Sequence, residues 1–404
     1  MKLGYRKLPL SCVVIFSLII YGFSAFGTDM RYPFLVIAFF YLCVKSKEFC
    51  VPKSILNILI FLLGSSLYSM IVAVLNSTGD YFETLRFCRC IITCIIIAVF
   101  VRCYRLQPTQ ALRLIEIILF LNAVVILITV LLPDTKPMFQ VINQYTKSYS
   151  RWRAIGLLNG EDAAGFFCNL GMIIETIIRI YNKKKLISWK VIVYVVATIF
   201  TSRMAILFLV AILVIDFVIA CRRREYESAF GIVMVLLPIG LVGGILWIIT
   251  TNVALGLRET VYNAFPFLRT LYSELTVGYL DYGEYSGAVS RHFSLEGLDF
   301  FQIIFGAGYR TGLRRDIGYI KTIYSIGVVG VIAELSFYIR SMNLVNIKRF
   351  DDEYTYIRVI YGIFVLLLIL WEMKNSFIFS NGVFELYILL FFSITFQKFT
   401  LQSD

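Results

Sequence analysis

The chain has 404 residues, 59% apolar and only 16% charged, and 38 lysines and arginines outweigh 26 aspartates and glutamates for a net charge of +12. A soluble domain carries about 25% charged residues, so this composition and the mean hydropathy of +0.81 exclude a water-soluble enzyme. An excess of basic residues would suggest nucleic acid in a soluble protein; here it lies in short segments between apolar runs, reads as an orientation signal, and implies no nucleic-acid partner.

The apolar runs recur from Pro9 to Phe396, and each must be helical because backbone exposed to lipid has to satisfy its own hydrogen bonds. They predict an all-α, polytopic transmembrane helical bundle of about 12 helices, within a range of about 10–13, forming a single membrane domain over 1–404. The expected crossings are 9–26, 31–44, 54–75, 84–101, 112–131, 160–180, 187–201, 204–220, 230–250, 317–339, 354–372 and 380–397. The second, seventh and eighth are short against the roughly 20 residues a crossing needs. The basic start, Met1 to Lys7, lacks a small-x-small cleavage site, so the first helix is expected to be retained. No internal repeat is visible, which argues against a transporter built from duplicated halves.

Charge orients the bundle. Lys45, Lys47 and Lys53, then Arg102, Arg105 and Arg113, then Lys183–Lys185, Arg222–Arg224, and Lys348 with Arg349 all fall on one side if the N-terminus is cytoplasmic. The early loops of the other side lack such charge, and 76–83 is acidic. Both termini are therefore expected in the cytoplasm. The 9 cysteines lie in or beside the apolar runs and suit packing better than a disulfide framework. The single histidine, His292, and the lack of ligand spacing give no metal site.

Two outer segments break the pattern: an outer loop at 132–153 and a large outer loop at 251–316. Loops of that length tend to be functional, and a short interfacial helix is expected near Leu295–Phe305. The first ends in Arg151, Trp152 and Arg153, ahead of Gly156, Gly160, Glu161 and Asp162. Asn159 or Asp162 would cap the helix that follows, and Glu161 is a carboxylate able to accept a proton from a sugar hydroxyl. The second interleaves tyrosines with Arg291, Arg310, Arg314 and Arg315, and closes on a Gly306-Ala-Gly308 turn with Tyr309, Asp316 and Tyr319 close by. Arginine's fixed fork matches phosphate oxygens, and tyrosine presents a flat face with a polar handle to a sugar ring. The alternative for each arginine is a lipid phosphate or a local carboxylate.

Arg203 stands in Thr201-Ser202-Arg203 between two apolar runs, where an unpaired charge is costly unless it snorkels or meets an anion. Arg86 and Arg89, three apart near the outer end of the fourth helix, are a weaker form of the same signal. Glu116, Glu175, Asp216, Glu334, Glu372 and Glu385 lie in or near helices, where they need partners and leave ion coupling open.

The segments R151-W-R-A-I-G-L-L-N-G-E-D162, T201-S-R-M-A205, F305-G-A-G-Y-R310 and D316-I-G-Y-I320 leading into I326-G-V-V-G330 resemble those of the bacterial O-antigen polymerase and ligase superfamily, closest to its repeat-unit polymerases. The resemblance implies a GT-C-like, metal-independent membrane glycosyltransferase of the bacterial inner membrane, without a cofactor, acting on its periplasmic side. It implies undecaprenyl-pyrophosphate-linked oligosaccharides as substrates, with membrane lipids, a chain-length regulator and a flippase as partners. Carried onto this chain, it makes Arg151, Arg203, Arg291, Asp316 and Glu161 catalytic. It makes Arg153, Arg310, Arg314, Arg315, Tyr309, Tyr319, Arg86 and Arg89 substrate-binding. Ligases of the superfamily place a histidine-asparagine pair after the glycine turn, where this chain has Asp316-Ile317-Gly318; the departure favours a polymerase. A ligase acting on lipid A-core, or a flippase for lipid-linked oligosaccharide, are the alternatives.

Overall fold

The computed structural model describes residues 8–21, 31–44, 52–143, 154, 156–158, 160–237, 294–310, 317–345, 355–374 and 376–403. Among them the regular structure is helical and no strand occurs. In chain order the helices are α1 (Leu10–Tyr21), α2 (Arg31–Val44), α3 (Lys53–Leu75), α4 (Phe82–Tyr104), α5 (Pro108–Leu131), α6 (Lys136–Asn143), α7 (Glu161–Tyr181), α8 (Trp189–Ile199) and α9 (Arg203–Arg222). They continue with α10 (Tyr226–Leu237), α11 (Phe300–Phe305), α12 (Gly318–Val345), α13 (Thr355–Trp371) and α14 (Val383–Ser403). Six of them, α3, α4, α5, α7, α9 and α12, are long and apolar enough to cross a membrane. Six shorter apolar helices, α1, α2, α8, α10, α13 and α14, accompany them. The chain is a multi-pass, all-helical membrane protein.

Local chemistry sets the ends. Pro108 sits in the first turn of α5, where its missing N–H costs nothing, behind a reciprocal Gln107–Gln110 capping box. Ser188 and Ser202 accept the N–H of Val191 and Ala205 at the starts of α8 and α9. Gly160, at φ +125°, occupies the cap position of α7 with no side-chain bond. Asp162 lies inside the first turn, not at the cap expected for it, and Asn159 is outside the described residues. The segment 132–153, expected as a loop, carries a 3-10 turn at Pro133–Thr135 and then α6.

Contacts sort the helix ends onto two faces. On one, Lys190 bridges Glu116 and Glu175, Arg179 pairs with Glu175 at 2.7 Å, and Lys185 meets Glu227. This basic face also holds Lys183, Lys184 and Arg222–Arg224. On the other face meet the ends of α1, α3, α5, α8 and α13 and the starts of α4, α7, α9, α12 and α14. Between them runs α14. Its residues from Leu386 to Phe392 are fully buried, and it packs against α1, α3, α4, α5 and α12. A helix apolar on every side belongs at a bundle's centre.

Candidate functional site

The described parts of the four segments singled out above lie on the face opposite the basic one. Two of them meet at the start of α7, the first also seated on Asn122 of α5. Ala154 donates its N–H to the Phe200 carbonyl at 2.8 Å, and Leu157 donates to Asn122 Oδ1 at 2.9 Å. Gly156, at φ +63°, lies so close to the Asn122 side chain that a Cβ would collide with it. Gly165 on α7 likewise allows Ala205 and Thr201 to approach. The chain entering α7 is thereby seated on the α8–α9 junction where Arg203 begins its helix.

The other two dock on α3 and α4. Gly306 (φ +96°) and Gly308 (φ +75°) turn the backbone under α3, and Gly327 (φ +71°) breaks α12 opposite them. Positive φ and sub-van-der-Waals approach are the two conditions that demand glycine. Ala307 N–H donates to the Tyr324 carbonyl at 2.9 Å, Tyr68 Oη to the Phe305 carbonyl at 2.8 Å, and Thr78 Oγ1 to the Gly308 carbonyl at 2.7 Å. Arg310 then points inward. Its N–H reaches Asp80 Oδ2 at 2.8 Å and its Nη1 reaches Glu83 Oε2 at 2.5 Å.

Glu83 is the centre of this arrangement. Its second oxygen, Oε1, accepts from Arg86 Nη1 at 2.8 Å, so one carboxylate joins α4 to the glycine loop. Glu83, Arg86 and Arg310 are all buried. Glu334 on α12 and Glu372 at the end of α13 lie within electrostatic range of both arginines. Glu372 Oε2 accepts the N–H groups of Phe377 and Ile378 at 2.6 and 2.7 Å, which shapes the turn into α14. That turn links the two docked pairs: Phe379 takes a hydrogen bond from Arg89 Nη2 at 3.0 Å, and Gly382 abuts Leu158 and Phe167.

Of the residues expected at the site, Arg310 and Arg86 are thus brought together through Glu83, while Arg89 is held by the Phe379 carbonyl three residues further along α4. Tyr309 is half-buried and stacks edge-on against Tyr324 at 5.4 Å. Tyr319 donates to the Ile369 carbonyl at 2.7 Å. Glu161 is the first residue of α7 and half-buried. Arg203 opens α9 directly after its Ser202 cap, but its side chain lies outside the described residues. So do Arg151, Arg153, Arg291, Arg314, Arg315 and Asp316. Sequence reasoning missed Glu83. Its spacing to Arg86, i to i+3 in the first turn of a helix, was the available signal.

Fold and site together define the class as an integral membrane protein with a buried ion cluster under one face. A scan against family models finds no match to this chain, and searches of curated proteins and of solved structures find none either.

Proposed function

We propose that the protein is a bacterial inner-membrane glycosyltransferase that polymerises undecaprenyl-pyrophosphate-linked repeat units into O-antigen or a related surface polysaccharide. The observation that carries this reading is the gathering of segments from 154–165, 200–205, 305–310 and 324–327 on the face away from the basic one. With both termini cytoplasmic, that face is periplasmic. Carriers of flipped, lipid-linked sugars are displayed there.

In this reaction an acceptor hydroxyl oxygen of the incoming repeat unit attacks the anomeric carbon of the growing glycan. The bond from that carbon to the pyrophosphate oxygen breaks, and undecaprenyl pyrophosphate leaves with the electron pair. The hydroxyl proton passes to a base, for which Asp316 and Glu161 are the candidates. Arg151 and Arg203 stabilise the charge on the leaving group, each contributing about 3–4 kcal/mol when well placed. Arg291 positions a carrier, and Tyr309 and Tyr319 stand beside the glycine loop. Arg86 and Arg310 are engaged with Glu83; their part is to hold that loop in place, with Arg153, Arg314 and Arg315 left to meet the carriers. A pyrophosphate leaving group needs little protonation, so the scheme uses no metal or cofactor.

A second reading, a flippase for the same lipid-linked oligosaccharide, is favoured by one observation, the carboxylates Glu334 and Glu372 inside the bundle. Purified protein given a synthetic undecaprenyl-pyrophosphate repeat unit separates the readings. The polymerase makes a ladder of lengthened lipid-linked products that disappears in Arg203→Ala with folding intact. Transfer to lipid A-core alone identifies a ligase, and movement of the substrate across vesicles with no new bond identifies a flippase.

A further inference from the structure

The basic face carries a patch assembled from two turns, the α7–α8 connection at 182–188 and the α9–α10 connection at 223–225. The helices before them end in the same way. Lys184 N–H donates to the Arg179 carbonyl and Glu225 N–H to the Ala220 carbonyl, both at 2.9 Å. Just ahead of those donors, Lys183 (φ +53°) and Arg224 (φ +57°) hold the left-handed conformation. Glycine usually takes that position; both turns fill it with a cation. Two glutamates then fasten the turns side by side. Lys185 pairs with Glu227, and Leu186 donates its N–H to Glu225 Oε2 at 3.2 Å. Arg223 pairs with Glu225 Oε1 at 2.9 Å and reaches the Lys184 carbonyl at 3.5 Å. Lys183, Lys184, Arg222 and Arg224 stay exposed on the joined turns and enter no ion pair among the described residues.

The patch borders the lipid-facing surface. Tyr181 closes α7, Trp189 opens α8 and Tyr226 opens α10, all of them exposed. Exposed apolar side chains continue at helical spacing from this level: Ile192 beyond Trp189, Val218 and Ile215 beyond Arg222, and Phe230 beyond Tyr226. Aromatic residues at helix ends mark the headgroup level of a bilayer, so the four cations lie at the depth of lipid phosphates. A helix C-terminus also favours a cation, but one basic residue per turn would satisfy it. We infer that the joined α7–α8 and α9–α10 turns bind an anionic phospholipid, its headgroup phosphate meeting Lys183, Lys184, Arg222 and Arg224 and its acyl chains lying along the apolar stripes. Lysine and arginine are the side chains that hold phosphate, and basic surfaces at the ends of transmembrane helices take anionic headgroups. A soluble phosphate compound would leave the aromatic residues and the stripes unused. This inference does not depend on the glycan reaction.

The test uses the full chain in maltoside micelles doped with phosphatidylglycerol or with phosphatidylcholine, and native mass spectrometry counts the lipid retained. Phosphatidylglycerol should be retained in preference. Lys183→Gln, Lys184→Gln, Arg222→Gln and Arg224→Gln together should weaken its retention more than about tenfold, since each charge removed beside an anionic headgroup costs about fivefold. If the fourfold variant does not fold, Lys183→Gln with Lys184→Gln and Arg222→Gln with Arg224→Gln are measured as separate pairs. Lys53→Gln with Arg105→Gln removes two exposed basic residues at the start of α3 and just past α4, and should leave retention unchanged. Equal retention of the two lipids by the wild type overturns the inference, as does undiminished retention by the patch variants or a loss in the control as large as in either pair. Displacement of the lipid by an equal concentration of glycerol 3-phosphate also overturns it and assigns the patch to a soluble phosphate.

Discussion

Gly308→Ala tests how the glycine loop is held. Gly308 has φ +75°, and a Cβ there would lie 2.7 Å from Ala73 Cα, 2.9 Å from the Val72 oxygen and 3.0 Å from Ala73 N, all backbone atoms of α3. The left-handed conformation costs an L-residue about 1–2 kcal/mol. The lost freedom of the unfolded chain returns about 0.4–1 kcal/mol. Forcing a methyl against an unyielding helix adds about 1–3 kcal/mol. The expected net destabilisation is about 1–5 kcal/mol. Gly79→Ala is the internal control, since Gly79 has φ +65° and open space where its Cβ would point; it keeps the strain without the collision and should cost about 0–1.6 kcal/mol, less than Gly308→Ala by the cost of the collision. Equilibrium unfolding in mixed micelles measures both. Trypsin cleavage after Arg310 reports the local consequence, because Gly308→Ala should lift Arg310 away from Asp80 and Glu83. Equal losses for the two variants, or unchanged cleavage, would refute close packing of this loop on α3.

Glu83→Ala leaves Arg86 and Arg310 buried without their shared carboxylate and should cost about 3–5 kcal/mol. Combining it with Arg310→Met should cost clearly less than the two single changes added, and strict additivity in a double-mutant cycle would exclude the bridge. Asn122→Leu strands the Leu157 N–H and should lower stability by about 1–3 kcal/mol, read as a lower melting temperature with faster proteolysis ahead of α7. Ser202→Ala should lose about 0.5–2 kcal/mol of cap energy, while Ser202→Gly loses only a few tenths; the same unfolding assay ranks them, and the opposite order would show that the cap is not what holds the start of α9.

The helices were legible because each depends on a short stretch of chain. A run such as 54–75 is apolar throughout, and the observed α3 spans Lys53–Leu75. Glu116 and Glu175 were legible as residues in need of partners, and Lys190 and Arg179 supply them. The site was less so, because its contacts join distant parts of the sequence. Arg310 and Glu83 are 227 residues apart, and nothing in either neighbourhood names the other. Arg86 and Arg89 look alike in sequence, yet one meets a carboxylate and the other a backbone carbonyl. The break in α12 was hidden for a similar reason. Gly327 sits in a run that reads as continuous helix, yet its φ is +71° and the Ile304–Gly306 backbone lies so close that a Cβ there would collide with it.

The placement of α14 has a consequence for biogenesis. This axial helix leaves the ribosome after α1, α3, α4, α5 and α12, every one of which it touches. Until it arrives, the surfaces that those five turn toward it in the finished bundle lack their final partner. Those surfaces gain their cover only when Val383 and the residues beyond it are made. A nascent chain halted before that point has its helices threaded but no axle around which to close.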